Sequence, residues 1–513
     1  MKIIIVGIGN IGFEVIKLLS SQHEVIAIAR SYPDYLKKLS SSNGNITFLK
    51  GDATKIEDMQ KIAESPIFND KNGIDALVCS LGHNTTSNAI DDHSGFKESF
   101  EINVYSNLIP IQVFSELLLK KKHSKFVLVS ASSGHHADTR LTGYPASKWA
   151  LENIFSALRE EMAIHNITVD VIAVPTIKNK RSKVWEQKNG IDPVKIANKV
   201  VKSINSPKNR RIFLPKKYIL FRLTERLFPG VLNLVHKLKF KYVRKKKYKK
   251  IELKSAFITG AAYGLGRELA ILYSRKVDDL YILDKDIKNL NILSKDLSLN
   301  SKAKIHPIVI DLMSPSQIEL VMKKITKVDL LINNAGVGYF YPITNTDLKF
   351  FHDCYQINFF SSTFLTSLLF NKVEKPKKII NILSTTAIKG RSKVGLYSSA
   401  KAAFWNYTRS LRRNWGNEIQ VLEVIPSFMN NTNYYKNSNV VIKNNIGSTP
   451  QSTKSKIKSK VLKVGQLTSE KAALMIFKAE SKGKDIVFIP NVKARLFLFL
   501  ETISPSFFSK IFK

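Results

Sequence analysis

Two kinds of spacing alternate along the chain. Short runs that are apolar at every position give way to longer stretches in which apolar residues return at every third or fourth place. A fully apolar run is the mark of a strand buried on both faces, and the longer period is that of a helix with one face turned to a core. Ile3, Ile4, Ile5 and Val6 form one such run and Val25, Ile26, Ala27 and Ile28 a second, each followed by a helical pattern. Strands alternating with helices predict a parallel sheet with right-handed crossovers and helices on both faces. The expected fold class is α/β, doubly wound.

The whole pattern occurs twice, with a period of about 250 residues, as expected of a tandem duplication. The run ending at Val6 passes through Gly7, Gly9 and Gly12 into a helix; Ala256, Phe257, Ile258 and Thr259 pass through Gly260, Gly264 and Gly266 into another. The next strand ends at the same remove from the last glycine in both copies, at Arg30 and at Asp284. Asn103 and Tyr144 keep step with Asn358 and Tyr397, and the closing strands 212–215 and 487–490 both end on proline. Two consecutive Rossmann-type domains are expected, over residues 1–235 and 253–513, with a basic linker at 236–252.

The composition agrees with two large cores, at 44% hydrophobic and 24% charged residues in a 513-residue chain. Cys79 and Cys354 are the only cysteines, which excludes a disulfide framework, and no metal site is expected. No window is apolar enough for a membrane span, and a cytoplasmic setting is expected. The net charge of +39 favours anionic partners. Lysine richness throughout the chain accounts for part of it, but not for the basic run at 237–250, which holds no acidic residue.

A glycine turn between strand and helix lets backbone N–H groups approach a pyrophosphate, which the helix N-terminus also favours. In the second half the turn reads Thr259, Gly260, Ala261, Ala262, Tyr263, Gly264, Leu265, Gly266. It is followed by Asp311, by Asn333, Asn334, Ala335 and Gly336 after an apolar strand, by Asn358 and Ser384, and by Tyr397 with Lys401 one helical turn on. In these motifs the second unit resembles the short-chain dehydrogenase/reductase family across nearly its whole length. The resemblance implies an NAD(P)-dependent oxidoreductase that interconverts a secondary alcohol and a ketone. The cofactor residues it implies are Gly260, Tyr263, Gly264, Leu265, Gly266, Asp284, Asp311, Asn334, Ala335 and Gly336.

The chemistry explains the residue types. Hydride transfer to a carbonyl leaves negative charge on oxygen, so a proton donor must stand there, yet an unassisted tyrosine has a pKa near about 10. Lys401, one helical turn from Tyr397 on the same face, favours the phenolate. By resemblance Lys401 also holds the nicotinamide ribose, Ser384 bonds the substrate oxygen, and Asn358 anchors a water that links Lys401 to solvent. After Pro426 the family's usual glycine is replaced by Ser427, and Thr432 stands one place late, so it is left unassigned.

The first unit resembles the family less closely. It keeps Asn103, Tyr144, Lys148 and Asp52, with Gly7, Gly9 and Gly12 in a turn shorter by one position. Cys79, Ser80, Leu81 and Gly82 stand at the Asn-Asn-Ala-Gly place, and Ala131 stands before Tyr144 at the spacing that separates Ser384 from Tyr397. Of its two flanking serines, Ser130 and Ser132, Ser132 is the one expected to serve. Activity is expected of this unit as well; the alternative is a cofactor-sensing or scaffold unit without turnover.

The residue closing the second strand reads the cofactor type, because an acid accepts hydrogen bonds from ribose hydroxyls whereas arginine attracts a 2′-phosphate. Arg30 thus favours NADP and Asp284 favours NAD. The region after the prolyl strand end is longer in the second unit, and a polar loop at 448–453 is expected to close over substrate. Each unit then ends in an apolar and basic tail, at 218–235 and 494–513, of a kind that can lie on an anionic membrane surface or pack internally. A hydrophobic or lipid-linked substrate is expected, peripheral membrane contact and a homo-oligomer are kept open, and no specific nucleic acid is expected because no recognised module for one is present.

Overall fold

The computed structural model describes residues 1–69, 72–83, 90–135, 142–178, 190–214, 251–372, 374–416, 418–427, 429–430, 439–440 and 467–490. The basic run at 237–250, the loop at 448–453, Thr432 and both tails lie outside the described residues.

Seven strands form the first sheet: β1 (Lys2–Val6), β2 (Glu24–Ala29), β3 (Ile46–Lys50), β4 (Ala76–Cys79), β5 (Lys125–Ala131), β6 (Thr168–Val174) and β7 (Arg211–Phe213). All pair in parallel, in the order β3-β2-β1-β4-β5-β6-β7. The second sheet repeats this order as β10-β9-β8-β11-β12-β13-β14. Its strands are β8 (Ser255–Thr259), β9 (Asp279–Asp284), β10 (Lys304–Val309), β11 (Leu330–Asn333), β12 (Lys378–Ile382), β13 (Gln420–Pro426) and β14 (Ile486–Ile489). The strand order reverses between β1 and β4, and between β8 and β11. In an open α/β sheet, the crevice beyond the strand ends at that reversal is where a ligand is received.

In the first unit the helices are α1 (Asn10–Leu19), α2 (Asp34–Ser41), α3 (Ile56–Ala63), α4 (His93–Phe100), α5 (Ser106–Leu119), α6 (Gly143–Met162) and α7 (Pro193–Ile204). In the second they are α8 (Gly264–Tyr273), α9 (Ile287–Asn300), α10 (Pro315–Lys324), α11 (Leu348–Tyr355), α12 (Ser361–Phe370), α13 (Gly395–Trp415) and α14 (Ser469–Ser481). Helix α1 buries Ile11, Val15, Ile16 and Leu19 along one stripe, as its spacing predicts. By contrast α5 and α6 are buried on nearly every face, because one side meets their own sheet and the other meets the second unit.

That meeting is the main feature of the architecture. Helix α6 packs along α13, and α4 touches α12. One continuous apolar core, from Ile4 and Phe96 to Phe257 and Phe359, fills the space between the two sheets, and a separate core covers the far face of each. The contacts follow a pseudo-two-fold axis. Asn153 Nδ2 donates to Ala387 O at 3.2 Å. Asn406, the counterpart of Asn153 in the second repeat, donates through Nδ2 to the carbonyl of Gly134, the counterpart of Ala387 in the first, at 3.0 Å. Matched positions meeting in this reciprocal way make an isologous interface. Near the axis Phe100 faces its counterpart Tyr355, ring centroids 5.8 Å apart.

In each unit a π turn joins two helices at this interface, Glu101–Tyr105 between α4 and α5 and Gln356–Phe360 between α11 and α12. Such turns insert a residue and mark functional positions often enough to direct attention to what they carry. Here they carry Asn103 and Asn358. Among the described residues no helix is long and apolar enough to cross a membrane, and no cluster of His, Cys, Asp and Glu could hold a metal ion.

Candidate active sites

In the second unit the glycine turn joins β8 to α8. Gly260 adopts φ +67°, and a Cβ there would stand 2.9 Å from Ala335 Cα, so the position needs glycine for both conformation and space. The turn is latched from β11. Thr259 Oγ1 accepts the Asn334 and Ala335 N–H groups at 3.0 and 3.1 Å, while Asn334 Nδ2 donates to Thr259 O and Gly260 O, both at 3.0 Å. These bonds give a physical account of why threonine and asparagine stand at those two places. Tyr263 caps the N-terminal end of α8, where Leu265 is buried, and its hydroxyl donates to Asp286 at 2.5 Å. Asp284, closing β9, accepts the Ala262 N–H at 3.0 Å, which fixes its carboxylate at the rim of the turn. Asp311, just past β10, accepts the Met313 N–H at 2.9 Å.

The proposed catalytic side chains gather at the ends of β11 and β12. Lys401 lies one turn after Tyr397 on α13, its Nζ 5.9 Å from the tyrosine ring centre, and donates to Ile382 O at 3.0 Å. Burial pulls the Lys401 ammonium down to about 8. Asn358 clamps the loop after Gly336, accepting the Val337 N–H at 3.1 Å and donating to Val337 O at 3.0 Å. A Cβ at Gly336 would stand 2.9 Å from Asn358 Oδ1 and 3.4 Å from Lys401 Nζ, so these three residues meet at one point. Ser384, immediately after β12, accepts from the Thr386 N–H and hydroxyl at 3.2 and 2.9 Å.

The first unit repeats much of this arrangement. Lys148 Nζ lies 5.7 Å from the Tyr144 ring centre and donates to Leu81 O at 3.1 Å. Burial lowers the Lys148 ammonium to about 8, partly offset by Glu152, and raises the Tyr144 phenol to about 12. Asn103 clamps His83 as Asn358 clamps Val337, at 2.9 and 3.0 Å. A Cβ at Gly82 would lie 3.2 Å from Asn103 Oδ1 and would collide with Lys148 Nζ.

Four details differ. The 3-10 turn after β5 starts at Ser132 and its counterpart after β12 starts at Thr385, the same offset that relates Asn153 to Asn406. Ala131 therefore takes the place of Ser384, and Ser132 takes that of Thr385. Ser130 donates instead to Glu152, at 3.1 Å. Secondly, the Asn103 carbonyl accepts Asn107 Nδ2 at 2.9 Å. Thirdly, the Ser80 side chain makes one bond to the glycine turn, from Oγ to Gly7 O at 2.7 Å, where the Asn334 side chain makes two. Finally, Tyr35 on α2 donates to Ile8 O in the glycine turn at 2.7 Å, with Phe13 edge-on to its ring at 4.7 Å. Arg30 is exposed beyond β2. Its charge reaches Asp52: burial raises that carboxyl, but hydrogen bonds from Thr54, with Arg30 and Lys55 nearby, hold it below the ordinary range.

A family model for short chain dehydrogenases matches residues 2–190 and again 254–440. The chain belongs to the short-chain dehydrogenase family. This tandem dehydrogenase is 27% identical over 265 residues to mouse dehydrogenase/reductase SDR family member 7B, covering 50% of the dehydrogenase and 78% of that protein. It is 28% identical over 188 residues to zebrafish peroxisomal 2,4-dienoyl-CoA reductase, covering 35% of the one and 63% of the other. One solved structure matches across both units of the dehydrogenase: an N-terminal ketoreductase from a macrolactin assembly line, with TM-score 0.58 and 12% identity, covering 84% of this chain and 79% of that one. At that identity the likeness is one of fold. It extends to the placing of two such sheets in one chain.

Sequence reasoning passed over Tyr35, Asn107, Asn153 and Asn406. The last two stand at equal offsets in the two copies, a signal that was legible; the first two have no motif to mark them.

Proposed function

We propose that the second unit interconverts a secondary alcohol and a ketone with NAD(P), with Tyr397 as proton donor and acceptor. The observation that carries this reading is the meeting of Lys401, Asn358 and Gly336 beside Tyr397, at the sheet end next to a latched glycine turn. That turn fits a dinucleotide: its backbone is bare of Cβ atoms where a pyrophosphate would approach, and the α8 N-terminus opens beside it. Bound there, the nicotinamide supplies or receives the hydride. Gly260, Tyr263, Gly264, Leu265, Gly266, Asn334 and Ala335 would hold the phosphates and adenosine, with Asp311 at the adenine and Asp284 at the ribose. During reduction the Tyr397 hydroxyl gives its proton to the oxygen on which charge develops, Ser384 donates to the same oxygen, and Lys401 stabilises the phenolate left behind.

A hydrophobic or lipid-linked substrate is part of the proposal, supported by the apolar and basic tails in the sequence and by the resemblance to a reductase named for dienoyl-CoA. In the split of cofactors, the Asp284 carboxylate favours NAD in the second unit and Arg30 favours NADP in the first. For the first unit two readings stand. Tyr144, Lys148 and Asn103 keep the catalytic arrangement, whereas Ala131 in the serine place and Tyr35 bonded to Ile8 of the glycine turn favour a unit without turnover.

Tyr397→Phe removes the proton donor and little volume. In the full chain, reduction of an aromatic 1,2-diketone with NADH or NADPH is expected to fall by about 100-fold or more, with cofactor binding nearly intact. An unchanged rate overturns the assignment. Adding Tyr144→Phe to the Tyr397→Phe chain separates the two readings of the first unit, since only an active one leaves a residual rate for the second change to remove.

A further inference from the structure

The segment that joins Ser384 to Tyr397 spans the two ends of the proposed site, and it is not held by its own unit alone. It lies along α6 of the first unit. Near its start the Ala387 carbonyl accepts Trp149 Nε1 at 3.4 Å and Asn153 Nδ2 at 3.2 Å. Gly390 comes so close to α6 that a Cβ there would collide with the Asn153 backbone. Lys389 pairs with Glu160 at 3.3 Å, and the Ser392 N–H donates to the same carboxylate at 3.2 Å. Glu161, which is buried, accepts the Ile343 N–H at 2.9 Å, and the Thr344 and Lys393 N–H groups lie near enough to favour its charged form. Lys393 itself has φ 67°, a conformation that residues other than glycine rarely hold unless their surroundings fix it. Just ahead of Tyr397, a Cβ at Gly395 would come 2.6 Å from Ala157 Cβ.

Part of this contact is simple pseudo-symmetry, since Asn406 mirrors Asn153. The carboxylates are not. Under the same offset, the places that match Glu160 and Glu161 hold Arg413 and Asn414, so the acidic pair is one-sided and two-fold packing does not require it. Backbone N–H groups on the 343–344 turn and on the 392–393 bend converge on this pair from two separate parts of the second unit.

We propose that Glu160 and Glu161 of the first unit are positioning residues for the second unit's reaction, fixing the 385–396 segment so that Ser384 and Tyr397 address one substrate oxygen. The proposal rests on the reading of Tyr397 and Ser384 given above. It assigns the first unit a role that is independent of its own turnover.

The test uses the full chain with Glu160→Ala/Glu161→Ala together, and Glu161→Gln as a milder change that keeps one acceptor oxygen. Amide exchange within 385–396 is expected to quicken about ten-fold in the double variant, while β8 and α8 exchange as before. For reduction of the aromatic 1,2-diketone, kcat is expected to fall about ten-fold with the cofactor KM within about two-fold, because the glycine turn is latched from β11 and not by the acidic pair. Glu161→Gln should recover most of both losses. The proposal is overturned if exchange in 385–396 is unchanged in the double variant, or if kcat is unchanged although exchange is faster. It is overturned equally if the glutamine variant raises exchange across the whole chain and shifts kcat and KM together, which is what a merely structural role gives. Failure of the native chain to reduce the diketone would remove the functional reading, and unchanged exchange would remove the hold by the acidic pair, so the two failures are read separately.

Discussion

Replacing Lys401 by methionine is expected to make the protein more stable at neutral pH while destroying its activity. The side chain is buried, and burial brings its ammonium from 10.5 to about 8. In the unfolded chain the same lysine stays protonated up to about 10.4. Below pH 8 the folded state must carry the charge at a cost, whereas between 8 and 10.5 the unfolded state binds more protons and stability rises with pH. At about 1.4 kcal/mol for each pKa unit, the cost at pH 7 is about 3 kcal/mol and at pH 10 about 1 kcal/mol. Methionine fills nearly the same volume without charge, but it gives up the bond to Ile382 O, worth about 1 kcal/mol. The net expectation is a gain of about 2 kcal/mol at pH 7, or about 4–8 °C if the second unit unfolds as one body of ordinary size, and no gain at pH 10. Thermal unfolding of the native chain and Lys401→Met, without cofactor, at both pH values reads this directly. A variant that melts below the native chain at pH 7, or a gap of equal size at pH 10, would refute the argument that a desolvated ammonium is maintained there for function.

Two other outcomes follow from the described geometry. Burial raises the Glu161 carboxyl to about 7, against the N–H bonds that lower it and with Glu160 adding to the rise. The folded state then binds more protons than the unfolded between about 4.5 and 7, so stability declines as pH rises through that window; Glu161→Gln should flatten the slope in urea unfolding, and an unchanged slope would contradict it. Arg30→Ala should weaken NADPH binding to the full chain by about ten-fold with little change for NADH, read from nicotinamide fluorescence with the second unit's Asp284 intact. Equal affinities before and after the change would end the split-cofactor idea.

The sequence marks the strands of both units plainly because a parallel sheet buried on both faces leaves runs such as Ile3, Ile4, Ile5 and Val6, and the repeat then transfers every landmark of one unit to the other. The meeting of Lys401, Asn358 and Gly336 was legible only through the family's motif. Nothing in the spacing of Asn358 and Gly336 brings them together; the π turn does, and a π turn has no residue signature. Ser132 serves only if the register shifts after β5, and the two 3-10 turns begin at matched offsets, so Ala131 stands where Ser384 does. The interface is written in the sequence less plainly than the strands. Its signal is a helix apolar on all sides, as in Trp149, Ala150, Leu151, Ile154, Phe155, Ala157 and Leu158, which a helix packed on one sheet alone does not need.

Joining the two units in one chain has a consequence that two separate copies could not have. In a dimer of identical copies every substitution falls on both sides of the axis at once, so any gain on one side is tied to its effect on the other. In the tandem chain some matched positions have kept their reciprocity, as Asn153 and Asn406 show, while others have parted. Trp149 meets Trp405 at 5.6 Å, with Arg409 over the Trp405 ring at 4.3 Å, yet the counterparts of the two tryptophans are Ala402 and Glu152. Glu160 and Glu161 face the second unit's segment, whereas Arg413 and Asn414 occupy the matching places. One unit is thereby free to supply contacts that serve the other's site without preserving the same contacts for itself. The shared core carries a further implication for experiment: either half expressed alone would expose Phe96, Phe100, Phe359 and Tyr407, all fully buried here, to water. An apolar face of that kind drives self-association, so residues such as Tyr144 and Tyr397 are better compared as variants of the intact chain than as isolated halves.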